Sequence, residues 1–336
     1  MIVSFALLIG GLVLVLLTLR DVFETVVVPG GSKAALQVAR RLFHVLLPIW
    51  RRGSRHGISR NFAPFALFAS FAVWVALLAI GFGMMVLAVG RSFEPPVTSL
   101  WEGMYVAMSS MGTLGVGTSV IKGGARWVVT GASFCGLAVI TLAVTYLLEV
   151  QSSISERDTG IFKLKTSAGD PPSAIELLER YAALGTAHQL GHILEQGRDW
   201  CATVRQSHSS HPTLIYFRTV GTGSGWPASL GALLDLALIL QLLIEAPADR
   251  GRAILLRAEG CEMAEDLAKI VNLERVDGKA READFRELSR RLSDAGYTLQ
   301  PDPNFEALVE QRLKHSAWVD AMATHLGMTS APLVSC

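Results

Sequence analysis

Three stretches of the chain are apolar over the width of a membrane, and a fourth nearly so. Residues 2–19 carry no charge before Arg20, residues 62–89 carry none, and residues 127–148 are bounded by Arg126 and Glu149. A helix needs about 20 residues to cross a bilayer core, so each stretch predicts a transmembrane helix. The first has no basic leader and no small-residue cleavage site, so it is expected to be retained rather than removed as a signal peptide. Residues 226–244 also contain Pro227, Asp235 and Gln241. An aspartate near the centre of a span costs about 2.5–3.5 kcal/mol. The Leu and Ala spacing there fits a helix buried in a bundle, and that reading is preferred. Beyond residue 150, apolar positions recur three and four apart and no alternating strand run stands out. Helices are expected over 173–185, 187–206, 228–244, 248–271, 278–295 and 304–325. The first of these opens on a capping box, Ser173-Ala174-Ile175-Glu176, behind Pro171-Pro172.

Charge orients these elements. The chain of 336 residues has a net charge of +1, a sum that conceals two halves. Residues 1–150 carry 11 Lys/Arg against 5 Asp/Glu, and residues 151–336 carry 19 against 24. Within 30–61 lie Lys33, Arg40, Arg41, Arg51, Arg52, Arg55 and Arg60 and no acid. The positive-inside rule puts that loop in the cytoplasm. The N-terminus and residues 90–126 are then outside, and residues 151–336 inside, as expected of an integral protein of the plasma (inner) membrane. Residues 34–50 mix Leu36, Leu42, Val45, Leu46 and Trp50 with Arg40, Arg41 and His44. They read either as an interfacial helix on anionic headgroups, contacted by Arg40, Arg41, Arg51 and Arg52, or as an ordinary topogenic loop. No span carries the regularly spaced arginines of a voltage sensor.

Composition agrees. Mean hydropathy is +0.40 and only 18% of residues are charged, below the roughly 25% of soluble domains, which excludes a wholly soluble or disordered chain. An acidic second half argues against nucleic-acid binding. The four cysteines are far apart and make no disulfide framework.

The informative stretch lies between the second and third spans. Pro95-Pro96 end one element, and Ser99 with Glu102 forms a capping box. A helix over 100–111 would be about 18 Å long, too short to cross but suited to re-entry. A re-entrant segment must end in backbone buried in protein or facing a water-filled path. After Gly112 the chain reads Thr113-Leu114-Gly115-Val116-Gly117. Glycines permit positive φ. Alternating with Leu114 and Val116, they allow an extended segment whose carbonyls point one way. Four such segments around an axis make rings of oxygens that replace a cation's hydration shell, with the Thr113 hydroxyl as the innermost ring. The short helix would aim its negative end at that axis.

These residues resemble the pore loop of the potassium channel family, whose filter reads Thr-Val-Gly-Tyr-Gly followed by Asp. The resemblance covers about residues 62–150, with span, short helix, filter and span in the family's order. It implies an all-α membrane protein with a tetrameric potassium-channel-like pore, and a filter of Thr113, Leu114, Gly115, Val116 and Gly117. Val116 stands where the family has Tyr, Thr118 where it has Asp, and Gly112 before the filter threonine. Valine donates no hydrogen bond, so cation conduction is supported more firmly than strict potassium selectivity. The family often has a hinge glycine about 20 residues past the filter, where Gly136 lies; the alternative is close helix packing through Gly131, Ala132, Gly136 and Ala138. Thr141, Thr145 and Glu149 fall on one helix face. They read as pore lining with an acidic inner mouth, or as back-bonded threonines and a solvated acid. One pore loop per chain requires a homotetramer.

The implied organisation is an extra N-terminal transmembrane helix (1–29), a basic cytoplasmic linker (30–61), a pore domain (62–150), a polar connector (151–169) and an all-helical cytoplasmic domain (170–336). Gly221-Thr222-Gly223-Ser224-Gly225 has no preceding strand and reads as a loop. His188 and His192 have the spacing of two ligands on one helix, but no third ligand is specified. No catalysis and no cofactor are expected, potassium or another monovalent cation being the permeant ion. A non-selective cation channel, a non-conducting sensor or scaffold, and an anchored enzyme at His188/His192 remain as alternatives.

Overall fold

The computed structural model describes residues 2–28, 38–53, 61–115, 120–277 and 280–334. Of the described residues 78% are helical, and the contacts divide the chain into two compact units, 1–52 with 61–150, and 53–60 with 151–336.

The first unit holds α1 (Ile2–Val26), α2 (Val38–Gly53), α3 (Phe62–Ala88), β1 (Phe93–Glu94), α4 (Leu100–Met111), β2 (Val120–Ile121) and the first part of α5 (Ala125–Ala168). Glycines set its close contacts. Gly81 of α3 stands against α1, where an added Cβ would lie 2.8 Å from Val15 Cγ2 and 3.0 Å from the Gly11 oxygen. A Cβ on Gly103 of α4 would lie 2.5 Å from the Gly83 oxygen of α3. Small residues let helix backbones approach where lipid supplies no hydrophobic drive. Val15, Val22, Trp74, Leu78, Phe82, Ala107, Met111, Ala132 and Val139 make one buried cluster across α1, α3, α4 and α5. Helix α1 runs beyond the expected residue 19 and carries the fully buried Asp21. Its Oδ2 accepts from Trp74 Nε1 of α3 at 2.8 Å and from the Val38 amide at 3.2 Å. In α2, Phe43 is buried edge-on against Phe62 and Val45 is exposed, as an amphipathic helix requires. The side chains of Arg40, Arg51 and Arg52 lie outside the described residues.

The second unit holds the rest of α5 with α6 (Ala174–Ala183), α7 (Leu190–Ser210), α8 (Gly225–Leu242), α9 (Pro247–Ile270), α10 (Glu282–Asp294) and α11 (Phe305–Leu326). The stretch read as a polar connector is helix throughout, because nothing between 137 and 159 breaks it and its apolar positions keep helical spacing. The capping box expected at Ser173 does not form. The Ser173 hydroxyl is buried and finds no partner among the described residues, and the Glu176 carboxylate stands against Gly169 instead.

Among the described residues four helices, α1, α3, α5 and α8, are long and apolar enough to cross a membrane. In the first three, 17–39% of the most apolar window is buried by protein, but in α8 it is 89%. Helix α8 is therefore covered by α9 and α11 rather than left for lipid. Its aspartate is answered there. Asp235 Oδ1 accepts from Arg312 Nε at 3.0 Å and lies 3.0 Å from His315 Nε2, and Oδ2 accepts from Arg312 Nη2 at 3.2 Å. All three groups are buried.

Candidate functional site

The segment with chemical potential begins where β1 and β2 pair antiparallel, Phe93 with Ile121 and Glu94 with Val120. The pairing brings both ends of the intervening chain, α4 included, to one place. An ion pair between Lys122 and Glu94 ties the same point. Val86 at the end of α3, Phe93 and Ala125 at the start of α5 pack with Val106 beneath it.

Helix α4 covers the residues its sequence predicts, and its cap is complete. The Glu102 amide donates to Ser99 Oγ at 3.2 Å, and Glu102 Oε2 accepts from the Thr98 and Ser99 amides at 2.8 and 3.3 Å. Its far end rests on α5 at Gly136, where a Cβ would lie 2.5 Å from the Met111 oxygen, 2.6 Å from its Cα and 2.7 Å from its Cβ. Gly136 is thus a close-approach position within an unbroken helix. At 1.5 Å per residue it is about 16 Å along α5 from Ala125.

The chain then closes the helix. The Leu114 amide donates to Ser109 oxygen at 2.9 Å and the Thr113 amide to Ser110 oxygen at 3.2 Å. Thr113 takes φ +60 and Gly115 φ +80. The segment expected to be extended, 114–117, is described only to Gly115, and the residue before it, Thr113, is left-handed. That residue is the left-handed closure of α4, satisfying carbonyls that would otherwise be orphaned. Leu114 is 84% exposed, and among the described residues nothing lies within 4 Å of a Cβ built on Gly115. Val116, Gly117 and Thr118 lie outside the described residues.

Thr141, Thr145 and Glu149 are exposed on α5. The Thr145 hydroxyl donates to the Thr141 oxygen at 3.1 Å, so it is back-bonded, and its own oxygen stays available as an acceptor. Exposed apolar side chains flank this region: Trp101, Tyr105 and Met108 on α4, and Phe134, Leu137, Ile140 and Val144 on α5.

His188 and His192 do not share a helix. His188 lies in a 3-10 turn (Ala187–Gln189), His192 in the first turn of α7, and His192 pairs with Gln196. Among the described residues no group of three His, Cys, Asp or Glu could hold a metal. A cleft of about 360 Å³ opens between α5, α7 and α8, its rim set with Glu156, Lys163 and Asp199, charges of mixed sign.

Sequence reasoning missed the buried polar contacts: Asp21 with Trp74, Asp235 with Arg312 and His315, and a cluster around Arg157 and His208. Each joins residues 50 or more positions apart. The one local signal was a charged or polar residue within an apolar pattern, as at Asp235. No protein-family model, curated protein or solved structure matches this chain.

Proposed function

We propose that four copies of this chain close around one axis as a passive cation channel that conducts potassium, with Thr113-Leu114-Gly115-Val116-Gly117 of each copy as the filter. One observation carries the reading. A fully capped helix of 12 residues, lying between two long apolar helices in the sequence, ends against Gly136; with α5 taken as a span, that point is about 16 Å from its start, half the depth of a bilayer core. Beyond the bonds that close the helix it leaves an exposed, glycine-bearing segment, 113–115, with open space around Gly115 among the described residues. A re-entrant helix of that kind points its negative end at its terminus, which favours a cation there, and bared carbonyls can replace a hydration shell. A single chain supplies one such segment, so a closed ring of four is needed. The exposed apolar faces of α4 and α5 are the surface that neighbouring copies and lipid would cover. The basic loop then lies in the cytoplasm with the second unit, and α1 lies outside the two-helix core. Thr141, Thr145 and Glu149 would line the inner path, where acceptor oxygens suit a cation.

Potassium flux into liposomes loaded with the purified chain tests this. Wild type conducts, and Gly115→Asp does not, because the substitution puts a β-carbon at φ +80 and a carboxylate in each ring. Intact tetramers without flux would overturn the reading in favour of a sensor or scaffold. Reversal potentials in opposed potassium and sodium gradients then grade selectivity. A value near the potassium potential supports potassium conduction despite Val116, and a value midway assigns a non-selective cation channel.

A further inference from the structure

We propose that the cleft between α5, α7 and α8 binds a short peptide about 10 Å long with free ends, its ammonium end at Glu156 and Asp199 and its carboxylate end at Lys163. The cleft belongs to the second unit alone, and its volume of about 360 Å³ falls within the roughly 300–1,000 Å³ of small-molecule sites. One wall is set in advance. Trp200 of α7 lies against Gly160 of α5, where an added Cβ would run into the indole. Its Nε1 donates to the Arg157 oxygen at 2.9 Å. The ring is thereby held in one position while staying partly open to solvent. A fixed aromatic face offers contact area at little entropic cost. Leu164 of α5, Ile193 of α7 and Leu233 of α8 extend the apolar wall.

The polar groups divide between two ends. From the Trp200–Gly160 contact the lining continues toward the C-terminal end of α5, through Lys163 to Ser167. On α7 it continues toward the N-terminal end, through Gln196 to Ile193. The two helices therefore flank the cleft in opposite chain directions. Glu156 of α5 and Thr203 of α7 fall on the other side of the contact, with Asp199 beside it. One end of the cleft is acidic and the other carries the lysine.

All three charges are exposed, and among the described residues no hydrogen bond or ion pair engages the side chains of Glu156, Lys163 or Asp199. Charges close to them in sequence are matched instead: Asp158 by Arg157, Lys165 by Asp170, and Glu195 by Arg252. Glu156 and Lys163 stand seven positions apart on one face of α5, about 10 Å at 1.5 Å per residue. Three residues of extended chain span about 10 Å at 3.3–3.6 Å each. A tripeptide with free ends thus reaches both charges and lays its central side chain on the apolar wall. A simple anion would meet two acids, and a simple cation the lysine, so neither complements the whole cleft.

The site does not rest on the channel reading, and its test reads binding alone. The tripeptide Ala-Leu-Ala is titrated calorimetrically into the full-length protein in detergent. It should bind one per chain, and N-acetylation or C-amidation should each weaken binding about two- to fivefold, the range of an exposed ion pair. Glu156→Gln with Asp199→Asn should weaken the free peptide and remove the effect of acetylation while keeping that of amidation. Lys163→Gln should remove the effect of amidation while keeping that of acetylation. Bound peptide should slow amide exchange in residues 156–167 and 193–203. No binding, binding indifferent to both blocked ends, or blocked-end effects that survive the matching substitutions overturns the proposal.

Discussion

Gly136→Ala separates close packing from hinge at the position where α5 meets α4. The added methyl would stand 2.5–2.7 Å from three atoms of Met111, two of them backbone. Reaching an ordinary contact of 3.4 Å from the nearest of them requires the two helices to part by about 0.9 Å. Backbone cannot swing aside as a flexible side chain does, and overpacking of this kind costs about 1–3 kcal/mol. Against this, replacing a helical glycine by alanine returns about 1 kcal/mol. Gly131→Ala supplies the control, since the nearest atom to its methyl is Phe82 Cε1 at 3.8 Å. Both variants gain the same helix propensity, so their difference in stability isolates the packing term and should be about 1–3 kcal/mol. Denaturant unfolding in detergent, followed by helical circular dichroism, measures it. Flux in liposomes reads the consequence of moving the residue just before Gly112 and Thr113. Equal stabilities would refute the close-packing assignment. Two variants both more stable than wild type, with only Gly136→Ala altered in opening, would restore the hinge.

Three further outcomes are expected. Asp235→Leu leaves Arg312 buried without its acid and should cost about 3–5 kcal/mol, while joint replacement of Asp235, Arg312 and His315 by apolar residues should recover most of it; thermal unfolding of the full chain reads both. Ser99→Ala removes the acceptor for the Glu102 amide and should weaken α4 by about 1 kcal/mol, seen as faster amide exchange in residues 100–103 and reduced flux. Trp74→Phe deprives the buried Asp21 of its side-chain donor and should destabilise the first unit by about 1–3 kcal/mol, with Trp74→His restoring part of the loss if its ring nitrogen reaches Asp21.

What was legible in the sequence was what neighbours in the chain decide. Helix α4 could be bounded to the residue because two prolines, a serine and a glutamate three positions later act within one turn. The apolar lengths of α1, α3 and the first part of α5 were equally plain. Helix α8 was readable as a buried helix from the cost of one aspartate, but not its solution, since Arg312 lies 77 positions away. Polarity misleads at 151–169, where composition suggests an interruption although no breaker occurs before Gly160 and Gly169. It misleads at Ser173 too, where the right capping letters are overruled by burial of the hydroxyl. Thr113 shows the limit at the site itself. Whether a threonine after a helix extends or turns left-handed depends on which carbonyls of α4 still need partners, and spacing does not reveal that. Nor does anything local distinguish His208 among eight histidines, because its character comes first from burial in the folded second unit.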